Sequence, residues 1–559
     1  MFNIILNRGN DLTEFFWPII FYIKEQILLG NGIPLWNKMF FSGTPLLPDP
    51  QNLFIYPLNI LFLFLPIDTG IVSSIIIHMF IAGFGMYTLL RSFNITNKTS
   101  IIIAALFFIS PKFISYVEAG HLGLIQSWAF IPWVYWSTIN LIQKKSLKSI
   151  LFLSLFLYLV YTSHILIFLI LLVTNGVFFL YRNKKSFSLF LLSHLILLLI
   201  SLPVLTPQLR WQQLTTREFL LQSPETYPVW NGKREFIKNI FIATRDTEKN
   251  ITFGIVVFIF ATLGYVKSTT KNKIYVFISV ATISTLALNI LTFDWFILFR
   301  VSTRFWFPIV IVILFLAAKG LDFLVLKNKT YQLLGILALI EYLIIARYII
   351  LKPIKYIAPT PAGVISYLQK DKDIYRVFCL DKCIRQKDAA IYNIEIIEGY
   401  GTLQQKNYFE YSQQIAQGYW DKKYSLSIPP FQNYLHEKFK PYPLALTAYR
   451  VKYIISPYKI DVENLKLITT VDNYRIYQNL LYIKPNYEIY KPNFIRVEIK
   501  NEVDKLVIPE VYNPDWNAYL NGKEKIEIYE TVEKTRSVNL ENDTEFVDFK
   551  YEPFNFFWQ

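Results

Sequence analysis

The chain has 559 residues, 53% of them hydrophobic, and a net charge of +15, with mean hydropathy +0.33. That length would ordinarily give several soluble domains, but apolar runs recur near the ~20 residues needed to span ~30 Å of hydrocarbon and define a polytopic α-helical membrane protein. The surplus cations exclude a nucleic-acid partner, because they are scattered among links between apolar runs and form no single face.

Residues 10–59 combine an early acid, Asp11, an aromatic amphipathic helix, a Gly/Pro-punctuated loop and a second acid, Asp49. Such a stretch suits the membrane interface, where amphipathic rings settle at headgroup depth. Residues 1–68 are therefore expected to form an external loop with interfacial helices, holding two carboxylates at a water–lipid boundary. Spacing alone leaves two roles open for Asp11: a chemical group, or the N-cap of a helix starting near Leu12, with Glu14 completing a capping box. Asp49 stands in Pro48-Asp49-Pro50, where turn geometry also accounts for an aspartate.

Spans are expected over 69–90, 100–117, 122–142, 150–163, 165–181, 187–205, 251–266, 274–292, 305–325 and 331–350, about ten to eleven in all. The run 150–181 is long for one helix and short for two. Charge decides it. Lys144, Lys145 and Lys148 before it, and Arg182, Lys184 and Lys185 after it, should share the cytoplasmic side, which requires a turn near Thr162, Ser163 and His164. Arg91 and Lys98, Lys267, Lys271 and Lys273, and Lys327 and Lys329 then fall on that same side.

On the opposite, external face this choice places the opening loop, residues 118–121, the His164 turn, the polar loop 208–250 and everything after 351. His121 and His164 are candidates for binding phosphate or sugar, beside a structural role at helix ends. Residues 294–304 end in Arg300 and Arg304, whose guanidinium forks suit phosphate oxygens, although arginines at span boundaries also snorkel. Glu341 and Arg347 in the last span read as partners of other helices, since an unpaired charge there is costly.

From residue 352 the pattern alternates at period two in YRVFCL, VKYIIS, YRIYQN, FIRVEI and KIEIYE. With Asn521-Gly522 between short runs, it predicts a β-rich, hairpin-containing extracytoplasmic domain over 352–559, following a multi-span bundle over 69–351. Cys379 and Cys383 are too few for a disulfide scaffold or a four-ligand zinc site, but can pair with each other or stay reduced. Tyr512, Trp516 and Tyr519 offer rings for sugar stacking or for a β-sandwich core. No Gly-rich phosphate loop, nucleophile elbow or His/Cys metal motif occurs.

The Asp11-Leu12 opening, GIPLWNKMFFSGTPLLPDPQNLFIYPLNILFLFLP, AGHLGLIQSWAFIPWVYW, RVSTRFWFPIVIVILFLAAKGLDFL and PEVYNPDWNAYLNGKEKIEIYE together resemble the YfhO family of bacterial membrane proteins. That family is similar in design to the C superfamily of glycosyltransferases (GT-C), multi-pass enzymes that take sugars from polyprenyl-phosphate carriers at the outer membrane face. The resemblance implies a transferase at the plasma membrane that uses a lipid-linked sugar donor and a glycan, glycolipid or protein acceptor. It places the catalytic acid at Asp11; Asp49 is kept, beside its turn role, as a candidate second acid or metal ligand. A divalent cation between Asp11 and Asp49 is left open. Two features depart from the family pattern: Met1 stands only ten residues before Asp11, and the chain stops at Phe557-Trp558-Gln559, so a reading frame incomplete at both ends is expected. The competing classes are a transporter or flippase of lipid-linked glycans and a non-catalytic envelope assembly protein.

Overall fold

The computed structural model describes residues 6, 9–50, 55–182, 184–216, 233–287, 302–328, 332–353, 359–380, 382–401, 403–415, 427–428, 440–500, 503–541 and 543–553. Among them, six helices are long and apolar enough to cross a membrane: Ile67–Arg91, Asn97–Ala119, Ile165–Arg182, Phe187–Gln213, Thr303–Leu326 and Gln332–Ile350. Shorter apolar helices cover Leu147–Ser163 and Ile255–Val266. The turn that charge required in the run 150–181 is present: one helix ends at Ser163, the next begins at Ile165, and His164 between them has extended backbone.

The crossing expected over 100–117 lies within the span Asn97–Ala119, which bends between the helices Asn97–Phe108 and Pro111–Ala119. The cause is local. Proline has no N–H to continue the ladder and pushes the preceding residue out of the helical region, and Ser110 accordingly has ψ 140°. Pro111 then starts the new helix at its first turn, where a missing donor does no harm.

Contacts divide the chain into two compact units. The first comprises Met1–Leu12, Leu53–Leu202 and Glu225–Lys355, and the second Thr13–Asn52, Pro203–Pro224 and Tyr356–Gln559. Residues 13–52, within the stretch read as an external loop, thus group with residues 356–559.

In the first unit the helices Ile255–Val266 and Phe307–Lys327 approach backbone to backbone. A Cβ on Gly264 would lie 1.9 Å from the Leu316 carbonyl oxygen, and one on Gly320 would lie 2.0 Å from that of Phe260. The pairing 260 with 320 and 264 with 316 means the helices run antiparallel, with small residues permitting the crossing as in membrane helix pairs. Gly320→Ala is expected to destabilise this unit by about 1–3 kcal/mol through overpacking. A thermal midpoint in detergent equal to the parent's would contradict that close approach. Glu341, read as a helix partner, is one: its carboxylate accepts from the backbone N–H of Ile255 at 2.6 Å and of Val256 at 3.0 Å, capping the shorter helix.

The second unit carries the β-rich region. Its sheets include a five-stranded one ordered Glu395–Ile396, Arg376–Cys379, Val451–Ser456, Tyr474–Asn479 and Leu465–Val471, whose first three strands are parallel. Antiparallel sheets follow, one ordered Tyr487–Lys491, Phe494–Glu498, Phe546–Tyr551, Trp516–Leu520 and Glu524–Ile526, the other Lys505–Val511, Thr535–Asn539 and Tyr529–Glu530. The Asn521-Gly522 hairpin is present. Both residues have positive φ, 45° and 74°, and Leu520 pairs with Glu524 across the turn. Cys379 and Cys383 form a disulfide. Trp516 is a core ring, edge-on to Trp36 at 5.5 Å, and so is not a sugar-stacking surface.

Candidate active site

The candidate site lies in the first unit, around the junction of Pro111–Ala119 and the helix Leu122–Lys144. Gly120 ends the first helix in the left-handed region, φ 77°, and His121 stands at the start of the second. Left-handed backbone suits glycine. A second constraint adds to it: a Cβ on Gly120 would lie 2.5 Å from the Leu12 nitrogen. The bare backbone of Gly120 is thus what lets the segment carrying Asp11 lie against this turn. Asn10 Nδ2 donates to the Glu118 carbonyl at 3.0 Å, and Asp11 Oδ2 lies 3.2 Å from His121 Nε2. Both side chains keep some exposure, 35% for Asp11 and 22% for His121.

Immediately after Asp11 the backbone forms a π-helical turn, Leu12–Phe16, before the α-helix Trp17–Leu28. Such turns are frequent at functional sites. Glu14 belongs to the second unit. Its carboxylate pairs with the Arg385 guanidinium, and its carbonyl accepts from Gln386 Nε2 at 3.0 Å.

A second charged group is tied to the same helix. Lys112 is buried and donates to the carbonyls of Thr247 at 2.7 Å and Glu248 at 3.3 Å, with the Glu248 carboxylate 3.8 Å away. Glu248 accepts from Thr303 Oγ1 at 2.6 Å. Burial pushes the Glu248 carboxyl up, but Lys112 and Arg304, with the Thr303 hydroxyl, outweigh it and hold the group down at about 2. Glu118 meets Lys352 Nζ at 3.6 Å and accepts from Thr247 Oγ1 at 3.4 Å. Asn250 ties the 247–250 loop down, donating to Ser115 Oγ at 2.6 Å.

Of the residues singled out in the sequence, Asp11 and His121 meet directly, and Arg304 acts on Glu248 beside Lys112. His164 stands apart at its helix break, where its Nδ1 accepts from the Ile167 N–H at 3.4 Å. Asp49 is buried in the second unit, and Arg300 lies outside the described residues. Lys112 and Glu248 were not singled out. Lys112 did carry a signal, a cation inside an apolar run, which demands a partner; Glu248 had none in its local sequence. Among the described residues no group of three or more His, Cys, Asp or Glu side chains could hold a metal ion.

Six helices long and apolar enough to cross a membrane and a C-terminal β-rich region give this chain a fold similar to that of solved membrane glycosyltransferases. The chain is similar to the arabinofuranosyltransferase AftD from Mycobacteria, with TM-score 0.55 and 12% identity over 88% of this chain. A mutant of that enzyme gives TM-score 0.56, again at 12% identity over 88%. The chain spans only 40% of the first and 41% of the second. A weaker likeness, TM-score 0.44 at 11% identity, links 80% of this chain with 66% of the archaeal oligosaccharyltransferase AglB from Archaeoglobus fulgidus, solved with an inhibitory peptide and a dolichol-phosphate. No protein-family model matches the sequence, so the likeness to the YfhO family stays a resemblance. No curated protein matches it either.

Proposed function

We propose that this protein is a GT-C-type glycosyltransferase that moves a sugar from a polyprenyl-phosphate carrier to an envelope glycan, glycolipid or protein on the extracytoplasmic face. The observation that carries this reading is the Asp11 carboxylate, held by His121 at a helix junction within the fold of a membrane glycosyltransferase. Asp11 takes the proton of the acceptor hydroxyl as that oxygen attacks the sugar carbon. The bond from that carbon to the carrier phosphate breaks, and the phosphate leaves with the electron pair. Arg304 suits the departing charge, since a guanidinium offers two donors to phosphate oxygens. Asp11 and Asp49 lie in different units, and the carboxylate and imidazole of Asp11 and His121 are few ligands for a divalent ion, so no step is routed through one.

The orientation fits this chemistry. With all Lys-rich links cytoplasmic, Asp11, residues 118–121 and the β-rich region share the outer side. The Cys379–Cys383 disulfide suits an oxidising compartment. The test is incubation of the purified full chain with radiolabelled polyprenyl-phosphate sugars and envelope acceptors. Label is expected to pass to the acceptor. Movement of intact labelled lipid across proteoliposomes, with no label on any acceptor, would instead mark a flippase.

A further inference from the structure

We infer that His121 is a positioning residue for Asp11 and not a ligand of phosphate or sugar, and that the turn of residues 118–122 is the device that aims the carboxylate. This rests on the reading of Asp11 as the base. The segment bearing Asp11 is docked on the turn at three points. Asn10 Nδ2 bonds the Glu118 carbonyl, the Leu12 nitrogen lies over Gly120 where no Cβ intervenes, and Asp11 Oδ2 faces His121 Nε2. The turn is itself held: the His121 N–H donates to the Tyr116 carbonyl at 3.0 Å, and the His121 carbonyl accepts from the Ile125 N–H at 3.1 Å. The backbone that carries the imidazole is therefore fixed to both helices independently of the aspartate.

The proton can be assigned by elimination. His121 Nδ1 is buried and has no hydrogen-bond partner among the described residues. Were it protonated, a buried N–H would be left unpaired, at a cost of about 1–3 kcal/mol. The Nδ1–H tautomer would also turn the Nε2 lone pair toward a carboxylate 3.2 Å away. Only the Nε2–H tautomer avoids both, so the ring donates to Asp11 Oδ2. A donor occupied in this way has no second N–H for a phosphate. Its effect is to fix the rotation of the carboxylate, so that the oxygen meeting the acceptor hydroxyl does not have to be ordered at the moment of reaction.

The experiment compares His121→Leu and His121→Gln in the purified full chain, using the labelled lipid-linked donor. Losing the orientation should lower kcat about 10- to 100-fold, the scale of a small misplacement of a reacting group, while KM for the donor stays within about twofold of the parent's. His121→Gln keeps an N–H donor at the same reach and should recover most of kcat. In an Asp11→Ala background, His121→Leu should cost nothing further. The inference is overturned by parental kcat in His121→Leu, by a rise in donor KM at unchanged kcat, or by losses that multiply in the double variant. Full activity of Asp11→Ala alone would instead end the reading of Asp11 as base.

Discussion

Asp11→Asn lowers the turnover of sugar transfer by about 10²- to 10⁴-fold, the range for removing a positioned general base. The substitution is chosen because it changes little else. An asparagine oxygen can still accept from His121 Nε2, the side chain is about one-third exposed, and a pair that accessible contributes little to stability. The fold and the helix junction should survive, and only the proton acceptor is lost. Donor KM should move little, since the interaction removed is realised in the transition state. Asp11→Ala should give the same loss. The measurement is label transfer under single-turnover conditions, with the thermal midpoint recorded for each variant. Full activity in both variants would remove Asp11 from the mechanism, and a matching fall in midpoint would reassign it to holding the helix junction.

The helices were legible where periodicity and charge spoke together. The break at His164 followed from counting lysines, because no alternative keeps Lys144, Lys145, Lys184 and Lys185 on one side. The break at Ser110 was also in the sequence, as Ser-Pro within an apolar run, but hydropathy averages over such punctuation and hides it. The strands from Arg376 onward were visible as alternating patches. What alternation could not give is strand direction, so the parallel pairing of Arg376–Cys379 with Glu395–Ile396 and Val451–Ser456, and the helices Gln386–Tyr392 and Lys406–Ile415, were not anticipated.

The site was legible in part. Asp11 and His121 were picked separately, one from the opening stretch and one from a helix end, and only the fold could bring residues so distant in sequence within 3.2 Å. The grouping of residues 13–52 with the C-terminal region was hidden for the same reason. It rests on non-local contacts such as Asn493 Oδ1 accepting from the Leu35 N–H at 2.7 Å and Tyr408 bonding Ser42 Oγ at 3.0 Å. Lys38 was not singled out in the sequence and is part of a buried charge network.

That network carries the largest expected effect on stability. In the second unit, Glu510 accepts from Arg376 Nη2 at 2.6 Å and from Arg450 Nε at 2.9 Å. Glu395 pairs with Arg450 and lies 3.7 Å from Lys38 Nζ. Arg536 completes the set, its guanidinium 3.9 Å over the Trp516 ring. Four cations thus face two carboxylates in a region where Arg376, Arg450 and Glu510 have side-chain exposures of 0%, 0% and 1%. Removing one carboxylate leaves buried guanidinium groups uncompensated, which costs about 3–5 kcal/mol. Glu510→Gln is therefore expected to destabilise the second unit by that amount, whereas replacing Glu510, Arg376 and Arg450 together by apolar residues of similar volume should cost much less. The pH dependence follows from the same contacts. Burial pushes the Glu510 carboxyl up, but Arg376, Arg450 and Arg536 hold it down at about 2. A carboxyl depressed on folding contributes its full stability above the unfolded value of about 4.3 and loses it as pH falls toward the folded value. Chemical denaturation of the full chain in detergent, followed between pH 7 and 2, should show the parent losing stability below about pH 4 and Glu510→Gln losing less over the same interval. Equal stability of the two proteins at pH 7 would mean that the arginines are solvated in a way this packing does not permit.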